Sequence, residues 1–403
     1  MHTPTRMPSA APESLEVSTK GLSGIDQLMH QHVDAGDIQG GVTLVARRGH
    51  VVHFSTHGEM DVEAGRAMEP DAIFIMASSA KPVIAVGMLM LVDEGLISLN
   101  DPVSSLIPEF ADIQVAVVDS ANAPADPDTK PEYHVVPVNS PLTIHHLLTH
   151  TSGLSFLGPV GEVWTDDDDT LTTLASKIAA TPLNFQPGAQ WSYGNSGIHG
   201  LTSRLIEIVS AKPFDVFMGE RLFEPLAMNN SYFDVPPEKH DKRVQLKGFD
   251  FSMKKKGWGL SSSAEDFLHF NQMLLNGGEL FGQRILNPAT VDKMRSNQVG
   301  DLFAKAGTGA KAQRGMGFGY AVAITMDPVA AGNHRGEGSF GWGGAGGTVS
   351  WVDPEHELVA VRMMQQEKGG DFAEAVARPP VPTAGTVMID TGAVVTLVNK
   401  AWA

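Results

Sequence analysis

The chain has 403 residues, 42% hydrophobic and 19% charged, which is enough apolar sequence for a large core and excludes a disordered chain. Lys and Arg number 29 against 46 Asp and Glu, a net charge of −17 that repels phosphate, so neither nucleic acid nor an anionic membrane is expected as a partner. Cysteine is absent, which excludes a disulfide framework, a Cys-ligated zinc site and a cysteine nucleophile.

Residues 1–22, with Pro4, Pro8 and Pro12, read as a loose polar leader without the apolar stretch of a signal peptide. The longest apolar run, Val83 to Val92, falls short of the about 18 residues that span a bilayer, and a cytoplasmic location is expected. Ile25, Leu28, Met29 and Val33 fall at helical spacing and predict a helix over Ser23–Ala35. Val42–Ala46 and His50–Phe54 flank Arg47-Arg48-Gly49 as a hairpin. The segment Ile75–Pro82 precedes the run Val83–Val92 and reads as the first turn of a buried helix, where Pro82 is tolerated. Asp119–Pro141 and Gly158–Asp169 are loop-like. The acidic run Asp166–Asp169 lies where it caps the helical Leu171–Leu174, and it lacks the spaced aspartates and glycine of a calcium loop. Phe318–Thr325 reads as a strand, and Thr348–Val352 with Leu358–Val361 as a second hairpin around Asp353–His356. Strands at both ends and helical patterns between them predict an antiparallel sheet built from both termini with a helical insertion.

Three segments carry chemistry. Ser78 and Lys81 are three apart and share one helix face. A desolvated lysine amine beside a serine hydroxyl accepts its proton, and the Ser78 backbone N–H points toward a developing oxyanion. Ser-x-x-Lys arises by chance roughly once in a chain of this length. A second match, Ser252-Met253-Lys254-Lys255, has no buried helix after it and is taken as that chance occurrence. Read alone, the first match is equally a capping serine and a surface lysine. Tyr193-Gly194-Asn195 aims a phenol and an amide into one cleft, with the phenol as acid or base if a nearby ammonium lowers its pKa. Read alone, it is a buried tyrosine in a turn. Between Gly336 and Gly347, seven of twelve residues are glycine, which permits close backbone approach before the following strand. The plain alternative is a tight turn. His146 and His150 are four apart but lack the glutamate of a His-Glu-x-x-His zinc site, and no Gly-x-Ser-x-Gly elbow occurs.

In order and rough spacing, Ser78-x-x-Lys81, Tyr193-x-Asn195 and Trp342-Gly343-Gly344 resemble the serine β-lactamase and DD-peptidase superfamily. So do Leu147-Leu148-Thr149-His150-Thr151-Ser152-Gly153-Leu154, Pro187-Gly188, Glu224–Met228 and Gly259–Asp266. The resemblance runs from about Leu22 to Arg362. It implies an α+β fold of β-lactamase/DD-peptidase type. A sheet region flanked by helices would span 23–95 and 255–403, and a mainly helical region 96–254, with the active-site groove between them. Ser78 would be the nucleophile, Lys81 and Tyr193 would share the proton work, and Asn195 would orient substrate or Lys81. The Ser78 and Ala345 N–H groups would form the oxyanion hole, and Trp342, Gly343 and Gly344 would line the substrate. The His145–His150 stretch would be structural, and no metal or organic cofactor is implied. Family members usually close with a helix on the sheet, which Val394–Trp402 would supply after the Pro-rich insertion from Arg378 to Thr391.

The third motif sets the subgroup. Penicillin-recognising members mostly carry Lys-Thr-Gly or His-Thr-Gly, whereas Trp342 offers an apolar wall and one N–H donor. This is similar to family VIII carboxylesterases. A small-molecule, short-chain ester cleaved through an acyl-serine is therefore expected. A β-lactamase, amidase, D-amino-acid peptidase or acyltransferase activity, or a catalytically dead sensor, are the alternatives. His334 and Arg335 precede the glycine loop as possible replacements for the missing cation. The sequence does not fix the natural ester or the oligomeric state.

Overall fold

The computed structural model describes residues 6–119, 131–166, 168–245, 259–306, 313–333 and 335–365. Ser252, Lys255, His334 and the C-terminal Pro-rich and helical expectations lie outside the described residues.

Alternation of Val42, Leu44 and Ala46 with Thr43 and Val45 builds strand β1 (Gly40–Arg47), yet all eight of its residues are buried. That requires cover on both faces. The sheet explains it. Strands β2 (His50–Asp61), β3 (Arg66–Ala67), β4 (Met316–Phe318), β5 (Ala323–Thr325), β6 (Phe340–Gly343), β7 (Val349–Asp353) and β8 (Leu358–Met364) complete an eight-stranded antiparallel sheet. The order is β4-β5-β6-β7-β8-β1-β2-β3, so the first strand of the chain pairs with the last described one, Val42 opposite Met363.

On one face, helix α1 (Thr19–Asp34) packs Leu22, Ile25 and Met29 against Val45, Val52, Trp351 and Ala360. The opposite face carries Val42, Leu44, Val359 and Val361 into the main core. There helix α2 (Ala80–Asp93) is buried from Ala80 through Leu91. A helix apolar all round belongs inside a core, not on its surface. The central segment adds α3 (Ile144–Leu148), α4 (Leu171–Ala179), α5 (Ser203–Ser210) and α6 (Phe214–Met218), and α7 (Ala264–Leu275) follows it. Among the described residues, no helix is long and apolar enough to cross a membrane.

Five expectations change. The leader is not loose from Met7 onward: Met7 enters the core, Val51 N donates to Pro8 O at 2.8 Å and Ala10 N to Val51 O at 3.1 Å. Helix α1 begins earlier than Ser23, because Ser18 accepts from Gly21 N and caps it at Thr19. Phe318–Thr325 is two strands, because the close approach of Gly319 to the Met294 carbonyl, only 2.0 Å from where a Cβ would sit, turns the chain between them. His134–Pro137, read as loop, pairs with Gln114–Val117. The Asp166–Asp169 run does not supply the cap of α4: Thr170 does, accepting from Thr173 N, while Asp166 and Asp169 both accept from Lys177 Nζ, at 2.6 and 2.7 Å.

Between α1 and the sheet, Thr43 Oγ1 lies 2.8 Å from His53 Nε2 and 3.0 Å from His57 Nε2. Burial lowers both imidazoles, His57 to about 4, against the opposing pull of Asp26. His146 is likewise lowered by burial to about 4. Such groups are neutral in both states above about 6.5, whereas below it the unfolded chain binds protons that the native state refuses. Stability is therefore lost as pH falls from about 6.5 toward 4. Asp266, raised by burial to about 6, acts in the opposite sense. Urea unfolding at pH 7 and 4.5 is expected to show a smaller acid loss for His57→Gln than for the unmutated protein. The difference is at most one proton's slope, about 1.4 kcal/mol per pH unit. Equal losses would remove His57 from the acid response.

Candidate active site

The turn that carries Ser78 is strained and pinned. Ala77 has φ 46°, a left-handed conformation that costs a non-glycine residue energy and persists only where its surroundings enforce it. A 3₁₀ turn, Ala77–Ser79, then leads into α2. Ser79 Oγ lies 3.1 Å from Thr348 Oγ1 and donates to Thr348 O at 3.2 Å, while Thr348 Oγ1 donates to Met76 O at 3.1 Å. These bonds tie the serine turn to the glycine turn between β6 and β7, where Gly344 N donates to Thr348 O at 2.7 Å. Gly344 lies so close that a Cβ would stand 2.2 Å from Met76 O. Ala345, the next residue, is thereby held beside the Ser78 turn.

Lys81, one helical turn on, has no exposed surface. Its Nζ donates to Tyr193 OH at 2.6 Å and to Asn195 Oδ1 at 2.7 Å, and reaches Ser78 Oγ at 3.4 Å. Burial lowers the amine to about 7, a fall that the Glu162 charge opposes. Burial pushes the Tyr193 phenol up, with the Ser78 and Trp342 side chains pulling the other way. This corrects one expectation. An ammonium was to lower the phenol, but desolvation wins for both groups and favours the neutral amine and the neutral phenol.

Tyr193 and Asn195 lie on a turn that other segments hold. Ser192 N donates to His150 O at 2.9 Å and Phe156 N to Tyr193 O at 3.0 Å. The His150 ring sits 4.7 Å from the Tyr193 ring, and burial keeps it well below its ordinary pKa. His146 caps α3 through Thr143, and His145 Nδ1 lies 3.2 Å from Tyr320 OH. The three histidines thus have packing and capping partners. Asn195 precedes a π-helical turn, Ser196–Thr202, a rare conformation frequent at functional sites.

Trp342 closes the other wall, 5.6 Å from the Tyr193 ring and 5.4 Å from Phe318. Gly343 precedes Gly344 at the end of β6. The Arg335 guanidinium does not replace a cation in this groove. It lies 5.0 Å over the Trp351 ring, on the face of the sheet covered by α1. The structure therefore brings Ser78, Lys81, Tyr193, Asn195 and Trp342 together, with Gly343, Gly344 and Ala345 on the turn that is packed against Met76. Sequence reasoning missed Glu162, the Ser79–Thr348 brace and the packing of His150. Only His150 had a signal, its place in the family-like stretch.

A buried lysine facing a serine across one helical turn, on a sheet closed by strands from both ends of the chain, is an α+β arrangement of β-lactamase type. The chain belongs to the Beta-lactamase family, whose model matches residues 25–379. It is 30% identical to Protein Rv1367c of Mycobacterium tuberculosis, covering 89% of this chain and 94% of that one. It is 29% identical to Esterase EstB of Burkholderia gladioli (86% and 91%), and 27% to the lovastatin esterase of Penicillium rubens (85% and 92%). Among solved structures, EstCE1, described as a hydrolase with promiscuous acyltransferase activity, superposes with a TM-score of 0.71 at 21% identity, covering 94% and 99%. Unliganded simvastatin synthase from Aspergillus terreus gives a TM-score of 0.73 at 20% identity, covering 96% and 100%.

Gly344 supplies the test of this geometry. Gly344→Ala is expected to displace the serine turn, since the clashing atoms are backbone and a short hydroxyl. Misplacement by about 1 Å costs on the order of a hundredfold in reaction rate. Labelling of the protein by a serine-directed fluorophosphonate should slow by about that factor, and the melting temperature should fall. Labelling at the unmutated rate would show that the contact yields without consequence.

Proposed function

We propose that the protein is a serine carboxylesterase of the family VIII type, cleaving neutral short-chain esters through an acyl group on Ser78. The observation that carries the reading is Lys81, buried and lowered to about 7 within reach of Ser78, Tyr193 and Asn195. As a neutral amine it has two N–H bonds for Tyr193 and Asn195 and a lone pair for the serine hydroxyl. Ser78 Oγ attacks the ester carbonyl and its proton passes to Lys81. The tetrahedral oxyanion is met by the Ser78 and Ala345 N–H groups. The C–O bond to the leaving alcohol breaks as Tyr193 OH, re-supplied by Lys81, delivers the proton. Water then attacks the acyl-serine, its proton returns through the same pair, and the acid departs with Ser78 restored. Two relatives that bear the name esterase support this reading.

A second reading, acyl transfer to an alcohol, has one observation in its favour. Leu157 and Trp164 are 62% and 56% exposed beside Phe156, whose ring is 5.9 Å from that of Tyr193. This apolar shelf flanks the proton donor, where an apolar alcohol would displace water. Added alcohol that diverts product from acid to a new ester would identify it.

Ser78→Ala is expected to reduce p-nitrophenyl butyrate hydrolysis by several decades in kcat. In the unmutated protein kcat/KM should rise with pH through about 7, because Lys81 below that value is protonated and unable to accept a proton. Substantial turnover by a folded Ser78→Ala, or a profile flat from pH 5.5 to 8, would overturn the assignment.

Trp342 sets the substrate class. A β-lactam drug carries a carboxylate, and desolvating it is costly without a facing cation. Trp342 supplies none, and Arg335 lies on the other face of the sheet. The ester is expected to exceed any penicillin by at least about a thousandfold in kcat/KM, roughly 4 kcal/mol. Trp342→Lys should narrow that ratio. Steady-state kinetics on both substrates checks it, and comparable turnover of penicillin would favour the β-lactamase alternative.

A further inference from the structure

We propose that Glu162, a residue of the loop before α4, is a positioning residue: it fixes the Asn195 turn and counterbalances the charge that forms on Lys81 during catalysis. This rests on the esterase reading of Ser78 and Lys81 given above. The carboxylate grips the backbone where the π-helical turn begins. Glu162 Oε2 accepts from Asn195 N at 2.8 Å, and Oε1 accepts from Ser196 N at 2.9 Å and from the Ser196 hydroxyl. The first amides of a helix have no intrahelical acceptor, so an outside group must satisfy them. The fit leaves no slack, because a Cβ on Gly194 would stand 2.9 Å from Glu162 Oε2 and 2.5 Å from Leu154 O. Gly194 lies between Tyr193 and Asn195, so the carboxylate sits against the turn that presents both.

The loop that delivers Glu162 is itself laced to one side chain. Asn184, only 9% exposed, accepts from Val160 N and Gly161 N at 2.9 and 3.0 Å. Its amide donates to the carbonyls of Gly153, Ser155 and Gly161. A chain of direct contacts thus runs from Asn184 through Gly161 and Glu162 to Asn195, and from Asn195 Oδ1 to Lys81 Nζ at 2.7 Å.

The electrostatic side has one source. The groups that face Lys81 are Ser78 on the turn before its helix, Tyr193 and Asn195 on the facing turn, His150 after α3, and Glu162. Burial favours the neutral forms of Tyr193 and His150. Among the described residues, Glu162 is the charge that raises Lys81 against its burial. When Ser78 gives up its proton, Lys81 becomes an ammonium in a dry site, and a fixed carboxylate nearby lowers the cost of that step.

The experiment compares kcat/KM–pH profiles on p-nitrophenyl butyrate for the unmutated protein, Glu162→Gln and Ser78→Ala, with thermal melts of each. Glu162→Gln removes the charge but keeps one acceptor. The acid limb should move to lower pH by about one unit, because the amine loses the charge that favoured its protonation. The plateau should fall by about tenfold, since one amide of the turn loses its acceptor. A purely structural role would lower the plateau and leave the limb in place. If Glu162→Gln does not fold, Glu162→Ser, which admits water to the same amides, is read by the same criterion. With Ser78→Ala inactive, a limb shifted down supports the proposal, whereas an unmoved or raised limb overturns it and leaves the esterase reading intact. With Ser78→Ala still active, both fall.

Discussion

The whole site depends on burying one amine. Lys81 sits in the first turn of a helix that is enclosed on every side, and a charge there loses its hydration. Three acceptors and the Glu162 carboxylate recover only part of that loss, so the amine is lowered to about 7. The same burial that lowers the amine also raises the phenol beside it. Burial therefore favours the pair as amine and phenol, the first able to accept a proton and the second to donate one. An exposed lysine in the same geometry would remain an ammonium near its ordinary value and would be useless as a base at neutral pH.

Enclosing α2 needs material from distant parts of the chain. The sheet joins β1 to β8, so the serine turn is braced by Thr348 and Gln365, about as far along the chain as the described residues reach. The facing turn is braced by His150, Phe156 and Glu162. Each brace is short and polar at the site, and apolar or aromatic behind it. Such a frame holds reacting groups in place because close-packed surroundings leave few alternative rotamers. The strained backbone at Ala77 is tolerated for the same reason.

The proposed preference for neutral esters rests on the Trp342 wall. Trp342 joins an aromatic cluster with Tyr193 and Phe318, so this wall offers ring faces and edges where penicillin-recognising members carry Lys or His. Arg335, adjacent in sequence to the glycine loop, goes to the opposite face of the sheet, where Trp351 and Asp353 receive it. Proximity along the chain says little about side, because successive strand residues point in opposite directions.

Several features of this protein were legible in its sequence alone. The two hairpins, the buried helix after Ser78, and the residues Ser78, Lys81, Tyr193 and Asn195 rest on local spacing, on apolar runs and on a motif order that recurs across a family. Other features were not. The first turn of α1 hung on a single capping serine, and the hairpin inside Phe318–Thr325 on the close approach of Gly319 to the Met294 carbonyl, distant in sequence. The sign of the Tyr193 shift required knowing that desolvation exceeds the pull of the Ser78 and Trp342 side chains, which is a property of enclosure and not of residue order. Glu162 carries no motif, and a glutamate in a polar loop is ordinarily solvated. Only when residues 153–162 fold across Asn184 does its carboxylate meet the amides of Asn195 and Ser196. Local spacing thus chose the chemical groups, and tertiary packing decided their protonation and their supports, because both depend on which distant atoms exclude water from them.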